Sequence, residues 1–176
     1  QFSNGNELNR LNIKSHLKGR GSDCSLSGIS LSKEGHHIDN NIIINHHSPN
    51  CMSSQNFRSI LKDRSSGVYN GRTIVKRAAQ KTNSSQSNKN ILLSDAAKMN
   101  SNPQLEIYAD DVKCSHGSTT GKLNKDAIFY LRSRGLDLKS ARELLLNGFV
   151  NDIIEQVKNK DIKYMLNKNI NIWLNE

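Results

Sequence analysis

Aromatic residues make up 5% of the 176 residues and hydrophobic ones 35%. That is too little apolar volume for the thick interior of a helical bundle. A core built from such a chain is thin and leans on backbone hydrogen bonding, as in a solenoid whose coils stack one upon the next. The length still allows one moderate domain, or a domain with an appendage, so disorder is not the expectation. There are three cysteines, Cys24, Cys51 and Cys114, far apart and with no CxxC pair. Their number and spacing exclude a disulfide framework and a local zinc knuckle, and they point to a reducing compartment. No apolar run approaches the roughly 20 residues of a membrane-spanning helix, and no signal peptide opens the chain. A soluble, intracellular protein is expected. There is no Gly-x-x-x-x-Gly-Lys-Ser/Thr phosphate loop and no nucleophile–base constellation, so neither nucleotide hydrolysis nor any other catalysis is expected of this chain.

Basic residues outnumber acidic ones by 25 to 16, for a formal charge of +9. Clustered, that excess would point to phosphate-rich partners. Here the Lys and Arg residues are scattered, without a basic arm or a basic patch interleaved with aromatics, and the expectation is a solvated basic surface with no nucleic-acid or membrane partner. An acidic protein partner would also suit it.

From about residue 8 to residue 123 short apolar or alternating stretches are separated by turns rich in Asn, Ser and Gly, as at 26–31, 38–45, 67–75, 90–93 and 105–112. These read as strands of four to eight residues, and Asn70–Gly71 reads as a turn. Ser54–Gln55 with Ile60–Leu61 is echoed 31 residues later by Ser85–Gln86 with Ile91–Leu92. The echo favours coils of a β-helix over a closed sandwich. The chain begins inside this strand pattern, with Gln1, and an N-terminal portion is expected to be missing. After Leu123 the pattern changes. Asn124 is a good N-cap, Leu123 and Ile128 sit at staple positions, and Gly135 suits a left-handed stop. Asp137 caps a second helix in which Leu138, Ala141, Leu145, Phe149, Ile153 and Val157 recur every three or four positions, broadened by Leu146, Val150 and Ile154. A third helical stretch surrounds 162–166, with Trp173 near its end. Residues 1–123 thus form a mainly β domain and residues 124–176 a small α-helical one, which the end of the β-helix is expected to cover.

The segment Pro103-Gln-Leu-Glu-Ile-Tyr-Ala-Asp-Asp-Val-Lys-Cys-Ser-His-Gly-Ser-Thr-Thr-Gly-Lys122 and the following Phe129-Tyr-Leu-Arg-Ser-Arg-Gly135 closely resemble the signature of SufD proteins, scaffold subunits of the SUF iron–sulfur cluster assembly system. The resemblance continues through Asp63-Arg-Ser-Ser-Gly-Val-Tyr-Asn-Gly71, Ala79-Gln-Lys-Thr82, Asn88-Lys-Asn-Ile-Leu-Leu-Ser-Asp95 and Ala141-Arg-Glu-Leu-Leu-Leu146, and covers most of 57–157. Sequences of the paralogous SufB usually carry a cysteine in the strand matching 88–93 and a glutamate where this chain has Gly117, so the resemblance is to SufD. It implies the C-terminal half of a right-handed parallel β-helix protein with a C-terminal helical domain. It also implies pairing with SufB through the last coils, docking of the SufC ATPase on the helical domain, and a transient iron–sulfur cluster shared with SufB in the cytoplasm or plastid stroma. By the same resemblance the chain is non-catalytic and binds no nucleotide itself. A carbohydrate-active β-helix enzyme is the alternative.

Cys114 and His116 lie two apart on an expected strand, so their side chains leave one face. Thiolate with imidazole suits iron or a nascent iron–sulfur cluster, and two ligands leave positions for a partner to fill. A buried cysteine beside a hydrogen-bonded histidine is the plain alternative, and the resemblance, which puts the matching positions at the SufB interface, favours the ligand reading. The pairs His36–His37 and His46–His47 point to opposite faces of a strand, so neither pair chelates alone, although His36 and His46 would meet if they stacked on neighbouring coils. Cys24 and Cys51 read as core residues, and Lys81 and Thr82 as a strand-end turn. Glu106 and Asp110 would share a strand face, and with Asp111 they are the carboxylates an acid–base enzyme would use.

Overall fold

A residue in one coil finds its neighbour about 30 positions later. Leu8 pairs with His37 and His37 with Ser66 on one side; Asp23 pairs with Met52, Met52 with Asn83 on the other. The steps are 29 residues at Arg10–Asp39, 31 at Ser53–Ser84 and 32 at Asn70–Asn102. In a computed structural model, which describes residues 1–4 and 7–176, this repeat winds two parallel sheets into a β-helix of about four turns. One sheet stacks β1 (Phe2–Asn4), β3 (Asp23–Ser32), β5 (Met52–Leu61), β7 (Thr82–Leu92) and β9 (Val112–Gly121); the other stacks β2 (Leu8–Leu17), β4 (His37–His46), β6 (Ser66–Val75) and β8 (Lys98–Ile107). Three helices follow, α1 (Lys125–Ser133), α2 (Leu138–Glu155) and α3 (Lys160–Asn175). None of the helices is long and apolar enough to cross a membrane.

The strands are longer than hydrophobic alternation predicts, ten residues in most cases. The excess is polar and held by like-on-like stacking. Outward-facing Asn12, Asn41, Asn70 and Asn102 occupy one column, and within it Asn41 Nδ2 donates to Asn12 Oδ1 at 3.2 Å and Asn102 Nδ2 to Asn70 Oδ1 at 3.1 Å. Asn70–Gly71 is therefore mid-strand rather than a turn. Gly71 is small for a packing reason, since a Cβ there would lie 2.4 Å from the Tyr69 hydroxyl. The stretch 105–112 is two strands and not one, because residues 108–111 turn the chain from one sheet to the other. The turns themselves stack. Gly21, Asn50 and Lys81 all take positive φ, and their amides donate to the carbonyls of Pro49, Gln80 and Asp111 one coil on. Lys81 belongs to such a turn and Thr82 opens β7, the strand-end arrangement of the plain reading.

Inside, the β-helix is half polar. Thr73 Oγ1 accepts from Gln55 Nε2 at 3.2 Å and from Gln86 Nε2 at 2.7 Å, and Tyr69 donates to Gln55 Oε1 at 3.1 Å. Each such bond nets only about 1 kcal/mol, but leaving a buried partner unpaired costs about 1–3 kcal/mol, so the network mainly enforces register. Apolar layers of Ile42, Phe57 and Tyr69, and of Leu17, Ile44 and Cys51, separate the polar ones.

The helical domain does not sit on the end of the β-helix, contrary to expectation. It folds back on the outer face of the five-stranded sheet, where Leu146, Val150, Ile153, Ile154, Ile170 and Trp173 bury Ile29, Leu31 and Ile60. The reason lies in the columns. Leu31, Ile60 and Ile91 form an apolar strip across three coils that ends at Gly121, so the last coil offers these helices nothing to cover. Arg58, in the adjacent column, pairs with Asp152 and lies 5.5 Å from the Phe149 ring centroid; Lys62 lies 4.5 Å from that of Trp173. Asn124, Asp137 and Asn159 cap the three helices, and Gly135 takes φ 95° after the first.

His46 is wholly buried on the inner face of β4, with Nε2 2.8 Å from Ser53 Oγ. Burial, helped by the charge of His47, lowers its pKa from 6.5 to about 4. The unfolded chain takes up this proton first, so the stability tied to neutral His46 is full above pH 6.5, drains away as pH falls to about 4, and amounts to at most about 3 kcal/mol. In urea unfolding, the stability difference between wild type and His46→Gln should therefore shrink from pH 7 to pH 4.5. A difference that stays constant over that interval would contradict this reading.

Candidate functional site at the open end of the β-helix

Both sheets stop at the same end. Among the described residues β8 and β9 each have a neighbour on one side only, so ten-residue β9 presents a row of backbone N–H and C=O groups without a strand partner. Pro103, within β8, suits a terminal strand because it has no N–H to offer. The inner face of β9 continues the interior columns: Cys114 follows Ser84, and His116 follows Gln86. Cys114 and His116 thus share one face, as their spacing predicts, and the lumen opens at their rung.

The two side chains differ in environment. Cys114 is half-buried against Val75, Ala79, Ala109 and Val112. Burial pushes its thiol pKa up, opposed only in part by a hydrogen bond with the Ser84 backbone, so at neutral pH it is a thiol until a metal displaces the proton. His116 is exposed, and its Nδ1 lies 3.2 Å from the Pro103 carbonyl oxygen. A carbonyl only accepts, so Nδ1 carries the proton and the Nε2 lone pair is free. An imidazole fixed in this way by its other nitrogen is the usual arrangement of a metal ligand. Beside it Ser118 donates to Ser101 at 2.7 Å, joining the two sheets across the mouth of the lumen. No three residues among the described His, Cys, Asp and Glu gather closely enough to hold a metal ion. A four-coordinate centre here needs donors from outside the chain.

The other sequence candidates fall elsewhere. His36 and His46 bracket the same strand and do not stack; His36 lies 3.6 Å from Glu34, and His37 bonds Ser66 at 2.7 Å. The stacked histidines are His16 and His47, 31 residues apart, an offset legible as the coil period. Cys24 faces Ser15, and the buried Cys51 donates to the Gly19 carbonyl. Glu106 lies 3.5 Å from Arg72, while Asp110 and Asp111 belong to the turn between β8 and β9 and not to the strand face of Glu106. That separation removes the shared carboxylate face an acid–base enzyme would need. Sequence reasoning missed one feature outright, a cleft of about 560 Å³ between helices and sheet, floored by Leu123, Ile128 and Leu146 and rimmed by Lys62, Lys122, Lys125, Lys139 and Arg142. Its basic residues come from three separate segments, which no local pattern joins.

Residues 1–149 match the family described as SUF system FeS cluster assembly, SufBD core domain. The chain belongs to the SufBD family. Within it, the chain is 33% identical to the iron–sulfur cluster assembly protein SufD of Escherichia coli, over 92% of its own length and 38% of that protein's. It is 34% identical to the chloroplastic protein ABCI7 of Arabidopsis thaliana, over 93% of this chain and 34% of the relative, and 43% identical to a SufBD family protein of Synechocystis over 66% and 25%. The chain therefore spans little more than a third of these relatives at most. Its likeness is to the C-terminal, SufD-like part of the family, and the β-helix with terminal helices is the fold this SufBD chain adopts.

The tautomer of His116 is directly measurable. In ¹⁵N-histidine NMR of the SufBD chain above pH 7.5, its Nδ1 should resonate as protonated and its Nε2 as bare. The reverse pattern would show that the Pro103 carbonyl does not set this ring.

Proposed function

We propose that this SufBD chain acts as the SufD-like, non-catalytic scaffold of a SufBCD complex in iron–sulfur cluster assembly, with SufB added to its open end and SufC docked on its helical domain. The observation that carries the reading is the terminal coil, where unpaired β9 brings Cys114 and His116 to the mouth of the lumen. A strand or coil of SufB laid along that edge gains main-chain hydrogen bonds in the manner of β-augmentation. It would also supply the donors that Cys114 and His116 lack. A soft thiolate and an imidazole with a free Nε2 match the preferences of iron in a nascent cluster, which is here the cargo.

For SufC, the large apolar stripe of α2 is spent on the sheet, and the argument for docking shifts to α1. That helix buries none of its residues, and Phe129 and Tyr130 stand 75% and 57% exposed. Truncation after Leu123 would strip the cover from Ile29, Leu31 and Ile60 and unfold more than it tests. Phe129→Ala with Tyr130→Ala leaves the cover intact. It should weaken SufC binding in calorimetry by roughly tenfold or more, since exposed aromatics are frequent interface anchors. Unchanged affinity would place SufC elsewhere.

Reconstitution with SufB and SufC tests the site. With complex formation checked by size exclusion, His116→Ala should lower bound iron and sulfide severalfold, Cys114→Ser less so, and the double variant at least as much as His116→Ala. Wild-type iron and sulfide in all three would remove these residues from cluster building. Loss of the complex without an effect specific to iron would reduce them to interface contacts.

A further inference from the structure

His16 and His47 lie on the four-stranded sheet far from the terminal coil, and nothing in the scaffold reading uses them. His16 points outward near the end of β2. His47 follows β4 by one residue, one coil on, and its amide is fixed to the Leu17 carbonyl at 3.0 Å. The strand ladder pairs His16 with Asn45 and Leu17 with His46, so both rings stand on a rigid frame. The rings are stacked, with centroids 5.2 Å apart and planes at 24°, and His16 Nδ1 lies 2.9 Å from His47 Nε2.

We propose that His16 and His47 form a two-nitrogen site for a late first-row divalent ion, Cu(II) before Ni(II) and Zn(II). The separation puts both nitrogens within reach of one ion. Ligand nitrogens sit about 2.0–2.1 Å from such a metal, so two that meet at a right angle lie about 2.9 Å apart, whereas a tetrahedral angle spreads them to about 3.3 Å. The 2.9 Å of the metal-free pair is the length of the hydrogen bond between the rings, so the order Cu(II) before Ni(II) and Zn(II) rests on the general affinity order of nitrogen sites for these ions. In the metal-free pair one ring donates its N–H to the other. On binding, that proton moves to the same ring's outer nitrogen, both facing lone pairs turn to the metal, and no net proton is released. Water completes the coordination. Lys14 and Lys18 flank His16 in the sequence and disfavour the cation electrostatically. With no carboxylate in the pair, hard ions such as Mg²⁺ and Ca²⁺ are excluded.

The test uses the full chain carrying Cys24→Ser, Cys114→Ser, His36→Asn, His37→Asn, His116→Ala and a blocked N-terminal amine as the parent, so that the accessible thiols and the other accessible imidazoles do not compete. Cu(II) chloride should bind at one strong equivalent, with a two-nitrogen pattern in the EPR spectrum, and Zn(II) should bind more weakly. His16→Asn or His47→Asn alone should each weaken Cu(II) at least tenfold and reduce the spectrum to at most one of these nitrogens. Adding the second substitution should cost little more. Unchanged affinity and spectrum in the His16→Asn/His47→Asn variant, or Zn(II) binding more tightly than Cu(II), would overturn the proposal.

Discussion

Everything in this molecule depends on a register, the parallel pairing that sets each residue beside its counterpart about 30 positions on. A solenoid gains little from any one coil, because one coil cannot bury its own inner face. Its stability comes from the interface between coils, and that interface is favourable only when like stacks on like. A slip of one residue in this chain would turn Ile42 and Phe57 outward and Arg58 and Lys89 into the lumen. It would also break the asparagine column and the Thr73 network together. Weak contacts of about 1 kcal/mol each thus become specific through repetition.

The same register decides what happens at the sides and at the end. Because Leu31, Ile60 and Ile91 share an outward column, they create an apolar strip that requires a cover, and α2 and α3 carry apolar side chains in the right places to supply it. Because the column ends at Gly121, the cover stops short of the final coil. The end of the β-helix is left with free main-chain groups, and its inner-facing Cys114 and His116 sit at a boundary between lumen and surroundings. Free main-chain groups along a strand edge are what a further strand pairs with.

Much of this was legible in the sequence, and the failures have physical causes. The single echo at 54–61 and 85–92 is the coil repeat itself, since Gln55 stacks on Gln86 and Ile60 on Ile91. The helix caps at Asn124 and Asp137 and the stop at Gly135 were readable because capping is local. The common face of Cys114 and His116 followed from strand geometry alone. The lengths of the strands did not, because hydrophobic alternation says nothing about polar residues held in a ladder by their own kind. Nor did the docking site of the helical domain, which depends on a column assembled from residues about 30 apart. The stacked histidines, His16 and His47, are hidden from a local reading for the same reason. Applying the 31-residue offset to His47 would have found His16.

The central claim is that the last coil, free at its edge, is where the partner subunit adds. Amide hydrogen exchange measured on this chain alone and with SufB tests it most directly. On addition of SufB the account predicts strong new protection along β9 and β8, with the amides of β5 and of α2 unchanged because their partners already lie within the chain. Protection that appeared instead on the flat outer face of β2, β4 and β6, with β9 exchanging as fast as before, would contradict it.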